Sequence, residues 1–370
     1  MPTRHLRLPG LLALVPVLLA GAAGLGARAD DIVVRLEPAP RLALPGVADS
    51  NSPVVWQLVN GQWVVHVFTS AYGKPSIATG PALDRLSAAR AITYTGTPPA
   101  GGVWIEAVVV DDAGVWFGYY HNEVVDPACG PDKVVPRIGA MRSGDRGRTW
   151  RDLGIVIEGP PGSVRCETAN HYFLGGVGDF SVALDASKQF LYFFYTQYFE
   201  AGGIGVATAR MTWANRTAPR GRVTIWNNGV WLPARSVRTT NDAGASVTTW
   251  TYPAASPVLP AVDTWDDGRG GVSVLWGPSM HWNVDVGRWV MLLNRAVDSA
   301  WTPGGVYVSF LDDLTQPSRL TVPQPIAPGT LWYPQVIGLE PNVGTDRLAG
   351  ATARFFVGGV SEALIRFEQP

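Results

Sequence analysis

Cysteine, charge and helical periodicity are all scarce in this chain of 370 residues. There are two cysteines, Cys129 and Cys166, too few by themselves for a structural zinc site. Charged residues make up 16% of the chain and balance at 29 basic against 30 acidic. A nucleic-acid surface needs a basic excess to neutralise phosphates, so no nucleic-acid partner is expected. The 5 histidines do not form the three-His constellation of a catalytic zinc site, and no glycine-rich phosphate loop sits between a strand and a helix. No metal site and no cofactor are assigned.

Long apolar runs are also missing, except at the start. Arg4, His5 and Arg7 precede an apolar stretch from Leu11 to Leu19 broken only by Pro16, and Ala27-Arg28-Ala29 offers an A-x-A cleavage site. Residues 1–29 therefore read as a signal peptide cleaved after Ala29, and residues 30–370 as one domain. The stretch 10–26 is short for a bilayer span, and no cysteine nearby supports a lipid anchor. With no second apolar run, the mature chain is expected to be secreted or periplasmic and to lack a membrane span. In that compartment Cys129 and Cys166 are expected to form a disulfide.

What the chain has instead is short β-branched or alternating runs between Gly, Pro, Asn and Asp clusters. They group in fours: 53–58, 62–69, 75–79 and 91–94; then 103–110, 114–120, 136–141 and 154–158; then 179–184, 190–197, 203–211 and 222–231. A fourth group holds 271–276 or 278–283, then 287–294, 305–311 and 319–322. The fifth has only 332–339, 351–358 and 363–367, leaving residues 32–36 to supply its missing strand. Second members of the groups resemble one another, as in Gly61-Gln-Trp-Val-Val, Gly114-Val-Trp-Phe-Gly and Gly287-Arg-Trp-Val-Met. This self-similarity predicts an all-β fold, a five-bladed β-propeller of four-stranded antiparallel blades whose ring is closed by the N-terminal strand. Residues 235–270 are the only stretch that could hide a sixth block.

Between the third and fourth runs of the second group stands Ser143-Gly-Asp-Arg-Gly-Arg-Thr-Trp150. It resembles the Asp-box of sialidases and other β-propeller proteins, a hairpin in which the Asp accepts bonds from its own loop and the Trp packs on the sheet. Such a box marks a scaffold hairpin on the rim rather than a catalytic position.

In a propeller the inner strands line a channel, and ligands bind at one mouth. The starts of first strands and ends of second strands share that mouth. This rule collects Asp49, Asn51, Glu106, Asp179, His281, Asn283, Tyr333 and Gln335 from the former, and His121, Glu123 and Arg295 from the latter. Glu106 lies in Val-Trp-Ile-Glu-Ala-Val-Val-Val, where an unpaired carboxylate would cost several kcal/mol, so it is paired, protonated or functional. Asp179 follows Gly175-Gly-Val-Gly, which lets another group approach closely.

Five blades with acids at the mouth resemble the five-bladed glycoside hydrolases, the group of arabinanases, β-xylosidases, invertases and levansucrases. The resemblance implies a carbohydrate substrate and acid/base catalysis by carboxylates from successive blades. Asp179, Glu106 and Glu123 are the expected catalytic residues, with Asp179 and Glu106 as acid and base in either order. Asp49, Asn51, His121, His281, Asn283, Arg295, Tyr333 and Gln335 are expected to bind substrate. Trp104, Trp282, Trp332 and Tyr333 are available to stack on sugar faces. The chain departs from the family at the first blade, where Asn51-Ser-Pro stands in place of the acid that precedes the strand. Either Asp49 serves, or the site is rearranged, or catalysis is absent. The alternatives are a sialidase-like exo-glycosidase, for which Arg137, Arg295 and Tyr333 are the available residues, and a non-catalytic propeller binding a carbohydrate or protein. A structural Ca²⁺ in the channel is compatible with the oxygen ligands, although no spacing demands one.

Overall fold

The computed structural model describes residues 32–199, 203–240, 244–263, 272–329 and 331–369. The expected signal peptide lies outside them. Five mostly antiparallel sheets stand around a central axis with inner strands Val54–Val59, Gly102–Val110, Val177–Leu184, Val274–Asn283 and Pro334–Gly338. This is the five-bladed propeller that the repeats imply. Blade 5 takes its outermost strand from the other end of the chain, with Val33–Ala43 paired antiparallel to Val360–Glu368. Its prolines 38 and 40 suit an edge strand, which can forgo ladder donors. Exposed pairs Arg35–Glu368, Arg41–Glu362 and Arg366–Glu37 lie along that seam, and exposed pairs of this kind contribute little.

The ring is held by an apolar core at each of its interfaces. Phe68, Ile77, Trp116 and Trp150 join blades 1 and 2. Phe117, Tyr119, Phe180 and Phe193 join blades 2 and 3, and Tyr192, Phe194, Met280 and Met291 join blades 3 and 4. Leu292, Phe310, Phe355 and Phe367 join blades 4 and 5, and Val54, Val67, Ile337 and Phe356 close the circle. Successive residues of Phe190–Gln197 therefore face different cores, Phe193 one way and Tyr192 and Phe194 the other. That is why the second strands are almost continuously apolar rather than alternating.

Five details differ from the sequence expectation. The run 222–231 is a hairpin, Val223–Asn227 and Val230–Pro233, turned at Asn228 and Gly229, whose φ values are 46° and 91°. This is the left-handed pair that a two-residue hairpin turn requires. The inner strand of blade 4 is neither 271–276 nor 278–283 but one strand, Val274–Asn283, with a register shift between Trp276 and Ser279. Its outer strand is Gln324–Ala327, because Pro317–Arg319 forms a 3-10 turn before it. The stretch that could have held a sixth blade contains a two-stranded hairpin, Arg235–Thr240 with Ser246–Thr251, and the short strand Leu259–Pro260 at the edge of blade 3. Finally, Thr93–Tyr94 leaves blade 1 and pairs parallel with Thr149–Trp150 of blade 2.

The hairpin at Ser143–Trp150 joins the third and fourth strands of blade 2. Asp145 accepts from Thr149 N (2.9 Å), Thr149 Oγ1 (2.7 Å) and Ser143 Oγ (2.8 Å), and Trp150 Nε1 donates to Gly147 O at 3.1 Å. Gly147 has φ +72°, and a Cβ there would meet Phe68, Ile77 and Trp116 at 3.1 Å. The hairpin is thus pressed against blade 1. No helix among the described residues is long and apolar enough to cross a membrane.

Candidate active site

Two bulges build the centre of the site. Opposite the inner strand of blade 2, Ile105 pairs with Tyr120 and Ala107 with Tyr119, leaving Glu106 without a partner. In blade 3, Gly178 pairs with Thr196 and Phe180 with Tyr195, leaving Asp179 unpaired with φ +39°. A bulge re-aims the extra residue. Here Ile105 enters the core between blades 1 and 2 while Ala107 enters the core between blades 2 and 3. The carboxylate between them is released from both. The left-handed backbone at Asp179 is the kind of local strain that persists only when its surroundings fix it.

His121, from the second strand of blade 2, is the hub. Its Nδ1 lies 3.4 Å from Glu106 Oε1 and 3.6 Å from Asp179 Oδ1, and its Nε2 lies 3.3 Å from Glu123 Oε1. The Asp179 backbone nitrogen lies 2.9 Å from Nδ1. A Cβ on Gly178 would meet the imidazole at 2.6 Å, so only glycine lets the ring slot against this strand. Burial opposes a charge on His121, but Asp179, Glu106 and Glu123 outweigh it and push the imidazole well above its ordinary value. Glu106 is fully buried, accepts from Phe180 N at 2.8 Å and is pushed up to about 7, chiefly by burial, with Asp179 adding to the rise and His121 opposing it.

Both oxygens of Asp179 are engaged by phenols. Tyr333 donates to Oδ1 at 3.1 Å and Tyr198 donates to Oδ2. Burial and the Asp179 charge hold both phenols well above their ordinary value, so they remain donors. Asp49 stands on the loop before blade 1, its N–H bonded to Ser70 O. Burial and the nearby Asp179 raise it to about 6.

These groups open onto a cavity of about 260 Å³ lined by Asp49, Glu123, Asp132, Asp179, Tyr333 and a wall of aromatic rings. The wall comprises Trp104, Tyr172, Phe173, Trp276, Trp301 and Trp332, with Trp276 packed edge-on to Trp301, Trp332 and Tyr333 at 5.0, 5.9 and 5.6 Å. At its inner end a recess of about 30 Å³ lies among Asp49, Trp104, His121, Glu123, Asp179 and Tyr333, enough for one water. Cys129 and Cys166 form a disulfide with a Cα–Cα distance of 5.0 Å. It ties the loop leading to Asp132 to the loop carrying Tyr172 and Phe173, so it braces one wall of the cavity.

The expected residues are distributed unevenly. Glu106, Glu123, His121, Asp49, Asp179 and Tyr333 come together. Glu106, however, does not line the cavity; it lies beneath it, against His121. Asn51 is buried in the channel, where Nδ2 donates to Phe180 O (2.9 Å) and Pro278 O (3.1 Å), bridging blades 3 and 4. Gln335 clasps the Ser52 backbone, accepting at 2.6 Å and donating at 3.1 Å. His281 and Asn283 are not brought to the cavity. Because the blade 4 strand starts at Val274, they lie towards its far end; Asn283 caps a turn there, and His281 stands 5.6 Å from the Phe367 ring. Arg295 donates to Ser273 Oγ at 3.3 Å. Trp282 pairs with Trp289 at 5.4 Å, away from the cavity that Trp104 and Trp332 line.

Sequence reasoning missed Tyr198, Trp276, Trp301 and Phe173. Tyr198 follows directly on the end of a second strand and obeys the same mouth rule, whereas Trp301 and Phe173 are loop residues with no periodic signal. Glu106, His121 and Asp179 offer ligand atoms within 4.8 Å of one another. Ca²⁺ takes six to eight oxygens, and this set of two carboxylates and one imidazole, the imidazole pushed towards its charged form, does not fit it.

No protein-family model matches the chain, and no curated protein does. Solved structures with a similar trace include a thermostable family-43 glycoside hydrolase at 10% identity and TM-score 0.49, covering 90% of this chain and 92% of that one. An endo-arabinase from Bacteroides thetaiotaomicron VPI-5482 has 10% identity and TM-score 0.46, with 89% and 97% covered. An α-L-arabinofuranosidase from Podospora anserina, in complex with cellotriose, has 12% identity and TM-score 0.46, with 89% and 92% covered.

Proposed function

We infer that this five-bladed propeller is a glycoside hydrolase working at the channel mouth, with Asp49 as general acid and Asp179 as general base. The observation that carries the reading is the water-sized recess bordered by Asp49, Glu123 and Asp179 at the bottom of an aromatic-walled cavity. Aromatic faces suit the apolar faces of sugar rings, and the carboxylates suit glycosidic cleavage. Asp49, raised to about 6 by burial and by Asp179, gives its proton to the leaving glycosidic oxygen. Asp179 takes a proton from water in the recess as the water oxygen bonds to the anomeric carbon and the bond to the leaving group breaks. Tyr198 and Tyr333 fix the Asp179 carboxylate. Glu106 and His121 are positioning residues that set the charge behind Asp179.

The disulfide supports an oxidising compartment and, with the N-terminal apolar stretch, a secreted protein. A sialidase-like reading is disfavoured because no arginine is among the described residues lining the cavity. A non-catalytic carbohydrate binder is the second reading, favoured by Asn51 where the related hydrolases carry an acid.

The test is release of reducing sugar from a panel of plant, algal and host glycans, by wild type and by the Asp179→Asn and Asp49→Asn variants. Turnover is expected from wild type, with losses of at least about 100-fold in either variant. Its pH profile should fall as pH rises through about 6, where Asp49 loses its proton. Binding of a glycan without turnover by wild type would sink the hydrolase reading. Turnover unaffected by both substitutions would sink the assignment of residues.

A further inference from the structure

A second polar cavity, of about 170 Å³, lies at the seam of blades 1 and 2, lined by Val59, Val64, His66, Thr79, Arg90, Arg146 and Arg148. Two of its arginines come from the Ser143–Trp150 hairpin, which is pressed onto blade 1 through Gly147. The third stands on the outer strand of blade 1, Arg90–Ala91. Among the described residues none of the three guanidinium groups has an ion-pair partner. The hairpin's own acid, Asp145, has its carboxylate committed to Ser143 and Thr149.

His66 is the second observation. It is 6% exposed, its ring stands edge-on to Trp116 at 4.9 Å, and both its ring nitrogens are buried without a hydrogen-bond partner. Burial first, then Arg146, Arg90 and Arg148, lowers it to about 4, so near neutrality the imidazole is uncharged and keeps one N–H to donate. A buried donor without a partner costs free energy, and here it lines a space far larger than the roughly 15 Å³ one water needs. A chain of formal net charge −1 thus concentrates three unpaired positive charges around one orphaned donor and the Thr79 side chain.

We propose that this seam is an oxyanion-binding site, taking a sulfate or phosphate group between Arg90, Arg146 and Arg148, with His66 donating from below. Guanidinium forks match tetrahedral oxyanions through paired N–H donors. The anion neutralises charges from two blades and bridges them. The site is separate from the acidic cavity at the channel mouth and does not depend on the hydrolase reading.

The test is isothermal titration of the full chain with sodium sulfate and with inorganic phosphate, against sodium chloride at matched ionic strength. Saturable binding at one site is expected, at least 10-fold weaker in the R90Q/R146Q/R148Q variant and weakened in His66→Phe, which keeps a ring against Trp116. No saturable sulfate or phosphate binding by wild type, or the same affinity in the triple variant, overturns the proposal. Should that variant fail to fold, the His66 ring resonances of wild type decide: a saturable shift with sulfate and none with chloride supports the site, and no shift overturns it. A sulfated galactan oligosaccharide and its desulfated counterpart identify the source. Tighter binding of the sulfated sugar than of inorganic sulfate assigns the anion to a glycan, and equal affinity assigns it to the free ion.

Discussion

Replacing Glu106 by Gln removes one buried charge and almost no volume. The Phe180 N–H, 2.8 Å from Oε2, keeps an acceptor in the amide oxygen, so the bulge itself is retained. What disappears is a titration. Burial raises Glu106 from 4.5 to about 7, so the folded chain binds this proton more tightly than the unfolded chain does. The stability so contributed is complete below pH 4.5 and is lost as pH rises through 7. At roughly 1.4 kcal/mol per pK unit, the loss comes to about 3 kcal/mol. The side chain is 0% exposed, so solvent screening does not reduce it. Between pH 4.5 and pH 8 wild type should therefore lose about 3 kcal/mol more than the Glu106→Gln variant. Asp49 and Asp346, each raised to about 6 by burial, and His121, raised by its carboxylates, shift stability in the same direction in both proteins. They cancel in the difference, apart from the coupling of His121 to Glu106. Equilibrium urea denaturation at the two pH values measures it. In melting temperature the gap is about 4 °C, given roughly 0.7 kcal/mol/K for an unfolding entropy of this chain length. A difference between the two proteins that is the same at both pH values refutes the assignment of a raised, buried carboxyl at 106.

Asn51→Ala removes two bonds to the Phe180 and Pro278 carbonyls and should cost roughly 2–4 kcal/mol in chemical denaturation, since both carbonyls lose their partner in the channel. Gly147→Ala places a Cβ 3.1 Å from Phe68, Ile77 and Trp116 at φ +72°; melting should report a loss of about 2–4 kcal/mol, with sugar release unaffected. The paired change Cys129→Ser with Cys166→Ser opens a link across 37 residues and should cost roughly 4 kcal/mol by chain entropy. Because the bridge braces the Phe173 wall, KM should rise more than kcat falls.

By itself the sequence determined the architecture. Five groups of strand-like runs, each bounded by turn residues, can bury both faces only by packing side by side in a ring, and the shortfall in the fifth group required a strand from residues 32–36. The mouth rule also located Asp49, Glu106, His121, Glu123, Asp179 and Tyr333, because strand order fixes which chain ends crowd together. Tertiary structure decided where each of them stands. A bulge is a local change of register that no periodicity reveals, and two of them turned Glu106 and Asp179 towards His121. Depth then divided the set, placing Glu106 under the cavity and Asp49 and Asp179 on its wall. The single continuous strand of blade 4 carried His281 and Asn283 to the opposite end, and the aromatic wall came from loops whose positions depend on long-range contacts and one disulfide. The Ser143–Trp150 hairpin shows the same division: its internal bonds follow from its own eight residues, but the arginines it presents at the seam acquire a common cavity only when blade 1 packs beside it.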